Sequence, residues 1–150
     1  MEKMALYFFT AAFFSLAAGT LLYLWYIFRR QERAGKYATL TNRIGASFIT
    51  LSLLFRSIAA GRGPFSNQYE FSLAFAWGII LVYLYIERSF KFRSLGAFVL
   101  PVALGLMAYA STVPSTIEPL VPALQNDLLL TIHVSVAVVA YGTFAVAFGV

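Results

Sequence analysis

The sequence predicts an all-α, polytopic membrane protein of about five transmembrane helices with its N-terminus outside. Three observations predict it. Of the 150 residues, 61% are hydrophobic and only 11% are charged, where a soluble domain carries roughly 25% charged residues. The apolar residues gather in runs approaching the ~20 residues that a helix needs to cross a bilayer. The basic residues gather between alternate runs, as membrane topology signals do. This composition excludes a disordered tail, an ordinary soluble globule and, despite the net charge of +5, a nucleic-acid-binding domain. The length predicts one unit, a single membrane domain over residues 1–150.

The first run covers residues 4–28. Leu16-Ala17-Ala18-Gly19 looks like a signal-peptide cleavage site, but the run continues through Trp25 and Tyr26, longer than a signal core. It is therefore read as a retained span, stopped by Arg29, Arg30, Arg33 and Lys36. The second run, 37–58, contains Arg43, placed at the near interface, and Arg56, expected to snorkel toward the far one. The third, 71–86, is ended by Glu87, Arg88, Lys91 and Arg93. The fourth, 95–110, holds Pro101, which membrane helices tolerate. The fifth is 128–150.

Two connections carry turn residues. Gly61-Arg62-Gly63-Pro64-Phe65-Ser66-Asn67 is one. The other, 111–127, has Pro114, Pro119 and Pro122, with Ile117, Leu120, Val121 and Leu124 spaced for one face of a short helix lying at the membrane surface. The first and third loops hold most of the eleven basic residues, so the positive-inside rule places those loops in the cytoplasm. The N-terminus and the other two loops then face outward. The sequence stops inside an apolar run, at Phe148-Gly149-Val150, with no flanking charge. The expectation is a truncated chain or part of a larger protein.

With no cysteine, thiol chemistry and disulfides are excluded. The single histidine, His133, lies near the outer end of the fifth span. An ionisable group inside a membrane helix is a functional hypothesis, and a neutral imidazole is a common metal ligand. The alternative is a structural histidine hydrogen-bonded at the interface. Helical spacing puts Ala137, Ala140, Tyr141 and Phe144 on its face, while Ser135, Gly142 and Gly149 repeat on an adjoining one, as helix packing requires. The 61–71 segment also has two readings. Structurally, Ser66 or Asn67 caps the third helix and Glu70 sits in its first turn, where the helix dipole favours an acid. Functionally, Arg62 takes a carboxylate or propionate partner, and Phe65, Tyr69 and Trp77 form a flat aromatic wall. No nucleotide-binding glycine pattern, catalytic triad or paired membrane carboxylates are present.

Two segments carry a resemblance. Gly61-Arg62-Gly63-Pro64-Phe65-Ser66-Asn67-Gln68-Tyr69-Glu70-Phe71, with Phe75-Ala76-Trp77 after it, resembles the outer-loop segment of the CcsA/ResC (CcsB) family of System II cytochrome c biogenesis proteins. So does Asp127-Leu128-Leu129-Leu130-Thr131-Ile132-His133-Val134, with Ala140-Tyr141 beyond it. The resemblance implies a haem-handling membrane component that presents haem at the outer face for attachment to apocytochrome c. It implies His133 as an axial ligand to the iron of haem b, Arg62 on a propionate, and the outer aromatics, Tyr69 and Trp77 among them, on the ring.

The implied partners are haem, apocytochrome c, a ResB-like subunit and the lipid bilayer, with no nucleic acid. The implied location is a bacterial cytoplasmic or thylakoid membrane. The chain alone is read as part of a haem-attachment complex, not as its catalyst. Some members have histidine where this chain has Arg62, so that second ligand is not available. The family's tryptophan-rich segment is expected downstream of Val150, which makes this chain an N-terminal portion. The rival readings are a membrane anchor or transporter subunit with a structural histidine, and a quinone- or haem-binding respiratory anchor, which usually needs paired histidines.

Overall fold

A computed structural model describes residues 1–117 and 127–150. The described residues form five long helices and no strand: α1 (Glu2–Arg29), α2 (Glu32–Ala60), α3 (Gln68–Phe90), a 3₁₀ turn (Arg93–Leu95) leading into α4 (Gly96–Thr112), and α5 (Asp127–Phe148). All five are long and apolar enough to cross a membrane. The chain is an integral membrane protein.

Helices α1, α2 and α3 overrun their apolar runs at both ends. α2 begins at Glu32, so Arg33, Lys36 and Arg43 are helical and only Arg30 and Gln31 connect it to α1. α3 continues to Phe90, so Glu87 lies inside it. The reason is backbone chemistry: where water is scarce, a helix satisfies its own N–H and C=O groups, so it persists through the interface. Each helix end then has its own stop. Arg30 closes α1 in the left-handed region (φ 49°), its N–H donating to the Tyr26 carbonyl at 2.7 Å. Gly61 ends α2 at φ 67°, a conformation that glycine adopts freely. Asn67 caps α3 as expected, its side chain accepting the Glu70 N–H at 2.9 Å. The surface-helix residues Leu120, Val121 and Leu124 lie outside the described residues.

Helices α1 to α4 form an up-down bundle in which each packs on its chain neighbours and α4 closes the ring against α1. Leu16, Tyr23, Ile49, Leu73, Ile80, Tyr83, Leu100 and Met107 fill its core. In lipid the packing is driven by close contact, and small residues permit it: Gly45 of α2 faces Leu16, and Gly19 of α1 faces the α2 backbone at Ala38 and Asn42. Helix α5 stands outside this ring, parallel to α3. One end of the bundle carries the 61–67 loop and the start of α5. The opposite end carries Arg29, Arg30, Arg33, Lys36, Arg88, Lys91 and Arg93.

Candidate functional site

The 61–67 loop is held from below by a buried ion pair. Arg56, on the last turns of α2, donates from Nε and Nη2 to Glu70 Oε1 at 3.1 and 2.9 Å. Both side chains are sequestered, at 4% and 0% exposure. Glu70 Oε2 accepts the Ser66 N–H at 2.8 Å and the Ser66 hydroxyl at 2.9 Å. The Arg62 guanidinium lies 3.9 Å from the same oxygen. Arg56 also donates to the Ser115 carbonyl at 3.0 Å, and the Asn67 amide donates to the Thr116 carbonyl at 2.8 Å. One carboxylate and one guanidinium thus tie together the α2–α3 loop, the first turn of α3 and the segment leaving α4. Arg56 therefore does not snorkel to an interface. Its charge is balanced within the protein, because an unpaired charge at this depth is costly.

The three aromatic residues of the segment face different neighbours. Tyr69 is 2% exposed, with Phe9 of α1 5.5 Å from its ring and the Arg56 guanidinium 4.6 Å above it. Phe65 packs with Ala74, Val134 and Val138, against α5. Trp77 is half-buried, its indole N–H donating to Thr50 of α2 at 2.9 Å. Tyr69 and Phe65 belong to separate apolar clusters, which Trp77 bridges.

His133 lies on α5, beside Val134 but on the outward face. Val134 and Val138 are buried against α3 and the loop, whereas His133, Ala140, Tyr141 and Phe144 are exposed. Among the described residues the imidazole has no hydrogen-bond or ion-pair partner. The loop reaches this helix at Thr131, whose hydroxyl lies 2.6 Å from where a Cβ on Gly63 would sit. Farther along, Phe75 and Tyr141 meet edge to face at 5.5 Å, and an open groove of about 370 Å³ runs between Phe75, Ile79, Leu106 and Tyr141. The donor set fits a haem on one side of the iron. It offers one accessible imidazole on an apolar helix face, aromatic rings along that face and a guanidinium in the adjoining loop. His133 is the only histidine in the sequence, so a metal held through imidazole would find one such ligand in this chain.

Position of α5 depends on a close crossing with α3. A Cβ on Gly142 would lie 2.9 Å from both the carbonyl carbon and oxygen of Gly78, which are backbone atoms that cannot swing aside. Gly142→Ala is therefore expected to part the two helices at a cost of about 1–3 kcal/mol. The check uses the cysteine-free background: cysteines introduced for Phe75 and Tyr141 should cross-link readily in the parent and poorly with Gly142→Ala. Equal yields would show that the crossing tolerates a methyl group.

Arg62, Tyr69, Trp77 and His133 are candidates from the sequence, whereas the pairing of Arg56 with Glu70 emerges only from the structure. The available signal was two opposite charges bracketing a glycine-rich turn, one closing an apolar run and the other opening the next. The same holds at the far end for Glu87, a buried carboxylate 3.8 Å from Arg93 Nε that accepts from Tyr23, Thr39 and Tyr83.

Comparison with known proteins adds to this geometry. Residues 65–150 match the family model described as Cytochrome C assembly protein. That region includes Tyr69, Trp77 and His133 and begins after Arg62. The chain is 44% identical over 95 residues to the cytochrome c biogenesis protein CcsA of Trichormus variabilis, covering 61% of this chain and 27% of the relative. It is 43% identical over 102 residues to that of Synechocystis sp., covering 65% and 30%. It is 36% identical over 141 residues to that of Gloeobacter violaceus, covering 91% and 41%. The chain thus spans less than half the length of these relatives. No solved structure matches.

Proposed function

We infer the function from kinship: this chain belongs to the family of cytochrome c assembly proteins, and it acts in cytochrome c biogenesis. Its part there is to hold and present haem, the cargo, at the outer membrane face, where apocytochrome c supplies the thiols that react with the haem vinyl groups. His133 is the axial ligand to the iron of haem b. Arg62 pairs with a propionate at the loop. Tyr69 braces the start of α3 beneath the loop, against Arg56 and Phe9, and Trp77 ties α3 to α2 through Thr50. The cationic end faces the cytoplasm by the positive-inside rule, which turns His133 and the loop outward, in a bacterial cytoplasmic or thylakoid membrane. A ResB-like subunit completes the assembly.

The observation that carries this reading is His133 itself: an imidazole exposed on an apolar helix, with no protein partner among the described residues. A structural histidine would be hydrogen-bonded, since a buried or membrane-embedded polar group left unpaired costs free energy. The same observation weighs against an anchor or transporter subunit with a structural histidine.

The test is an absorption spectrum of the chain purified in detergent from haem-replete cells. A Soret band is expected in the parent and absent in His133→Ala. In His133→Gly, added imidazole should restore it, because a free ligand can occupy the space left by the side chain. A band of equal intensity in parent and His133→Ala would overturn the assignment.

A further inference from the structure

Between α2 and α3, toward the cationic end, two arginines line one crevice. It has a volume of about 570 Å³ and is bounded by Arg43 of α2 and by Leu84, Tyr85 and Arg88 of α3. Both guanidinium-bearing residues are exposed. Among the described residues neither guanidinium has a hydrogen-bond or ion-pair partner. The acids of this end are engaged elsewhere: Glu32 pairs with Arg93 at 2.8 Å, and Glu87 is enclosed by hydroxyls.

Arg43 is not a terminal residue. It lies eleven residues into α2, roughly 16 Å along the axis at 1.5 Å per residue, within an apolar stretch flanked by exposed Leu40 and Ile44. An arginine at that depth on a lipid-facing surface calls for a counter-charge or a functional reason. Helix direction brings the second arginine to it. Side chains lean toward the N-terminus of their own helix. α2 and α3 are antiparallel, so Arg43 leans toward the cationic end and Arg88 leans away from it, toward Arg43. Two like charges sharing one crevice repel unless an anion sits between them.

We propose that this crevice binds the phosphate of an anionic phospholipid, with Arg43 and Arg88 pairing with the phosphate oxygens and the lipid chains lying along Leu84 and the ring of Tyr85. Guanidinium groups suit phosphate through paired N–H donors. A basic crevice between membrane helices toward their cationic end, with an aromatic beside it, is a setting in which anionic lipids dock. The inference rests on the fold alone and is independent of the haem assignment.

The experiment is native mass spectrometry of the chain released from micelles containing equal phosphatidylglycerol and phosphatidylcholine. The parent is expected to retain phosphatidylglycerol at about tenfold excess, the discrimination that one good charged contact supplies. Arg43→Ala and Arg88→Ala should each abolish that excess, and Arg43→Lys should keep part of it. Arg33→Ala, which removes a cation at the same end but outside the crevice, should leave it intact. Both crevice side chains are exposed, so the variants should keep the parent's helical circular dichroism and elution volume. Equal retention of the two lipids overturns the proposal, as does equal loss in Arg33→Ala. So does displacement of the lipid by millimolar inorganic phosphate, which would mark a site for free phosphate.

Discussion

Arg56→Ala is expected to destabilise the folded chain by about 3–5 kcal/mol, the scale for removing one partner of a buried ion pair. SDS titration in mixed micelles measures it. The size follows from what remains. Glu70 is fully buried and keeps only the Ser66 N–H and hydroxyl at hydrogen-bond distance, with Arg62 more distant at 3.9 Å. The Ser115 carbonyl loses its donor as well. Arg56→Lys should recover less than half of the loss. A lysine ammonium is a point charge, whereas Arg56 uses Nε and Nη2 together on one carboxylate oxygen while Nη2 also reaches Ser115. The double variant Arg56→Ala with Glu70→Ala should cost less than the two single changes added, because no charge is left unpaired. A single-variant loss below about 1 kcal/mol would mean that the pair is hydrated and of the weak surface kind.

This pair also marks the boundary of what the sequence reveals. Five spans were legible because lipid imposes length and apolarity on each helix separately. That is a local property, and residues 4–28 display it without reference to any other segment. The N-cap at Asn67 was legible for the same reason: the capping residue and the N–H it satisfies are three positions apart. Which acid answers which base is not local. Arg56 and Glu70 sit on different helices, and Glu87 gathers hydroxyls from three. Nothing in the residues around Glu87 separates a charged interfacial end from a buried acceptor. The segment 61–71 was legible as a functional candidate through its turn chemistry and its resemblance. Its division of labour was not, because the neighbours of Tyr69, Phe65 and Trp77 come from α1, α5 and α2 respectively. The outward setting of His133 follows from α5 packing on α3 through Val134, Val138 and Gly142, a choice of face that an almost wholly apolar helix does not announce.

Glu87→Ala should cost a similar amount, about 3–5 kcal/mol, for a different physical reason. The lost group is a common acceptor. Its Oε2 receives the hydroxyls of Tyr23 and Tyr83, the latter at 2.6 Å, and its Oε1 receives that of Thr39. Removing it leaves three buried hydroxyls without this partner, at roughly 1–3 kcal/mol each before relaxation. It also frees Arg93 to depend on Glu32 alone. Relaxation is limited because the Tyr23 and Tyr83 rings meet edge to face at 5.7 Å, and a Cβ on Gly96 would lie 2.5 Å from the Tyr83 hydroxyl. Glu87→Gln keeps one acceptor oxygen but turns an N–H₂ toward the remaining hydroxyl hydrogen, so it should recover about half. The two carboxylates can then be told apart by a second readout. Glu87 lies at the cationic end, remote from the 61–67 loop. Its loss should lower stability while leaving the haem spectrum per folded molecule unchanged. Arg56→Ala loosens the loop that reaches α5 at Thr131, so it should alter both. If Glu87→Ala changes the Soret band of the folded fraction as strongly as Arg56→Ala does, the two ends of the bundle are coupled and the separation argued from their distance fails.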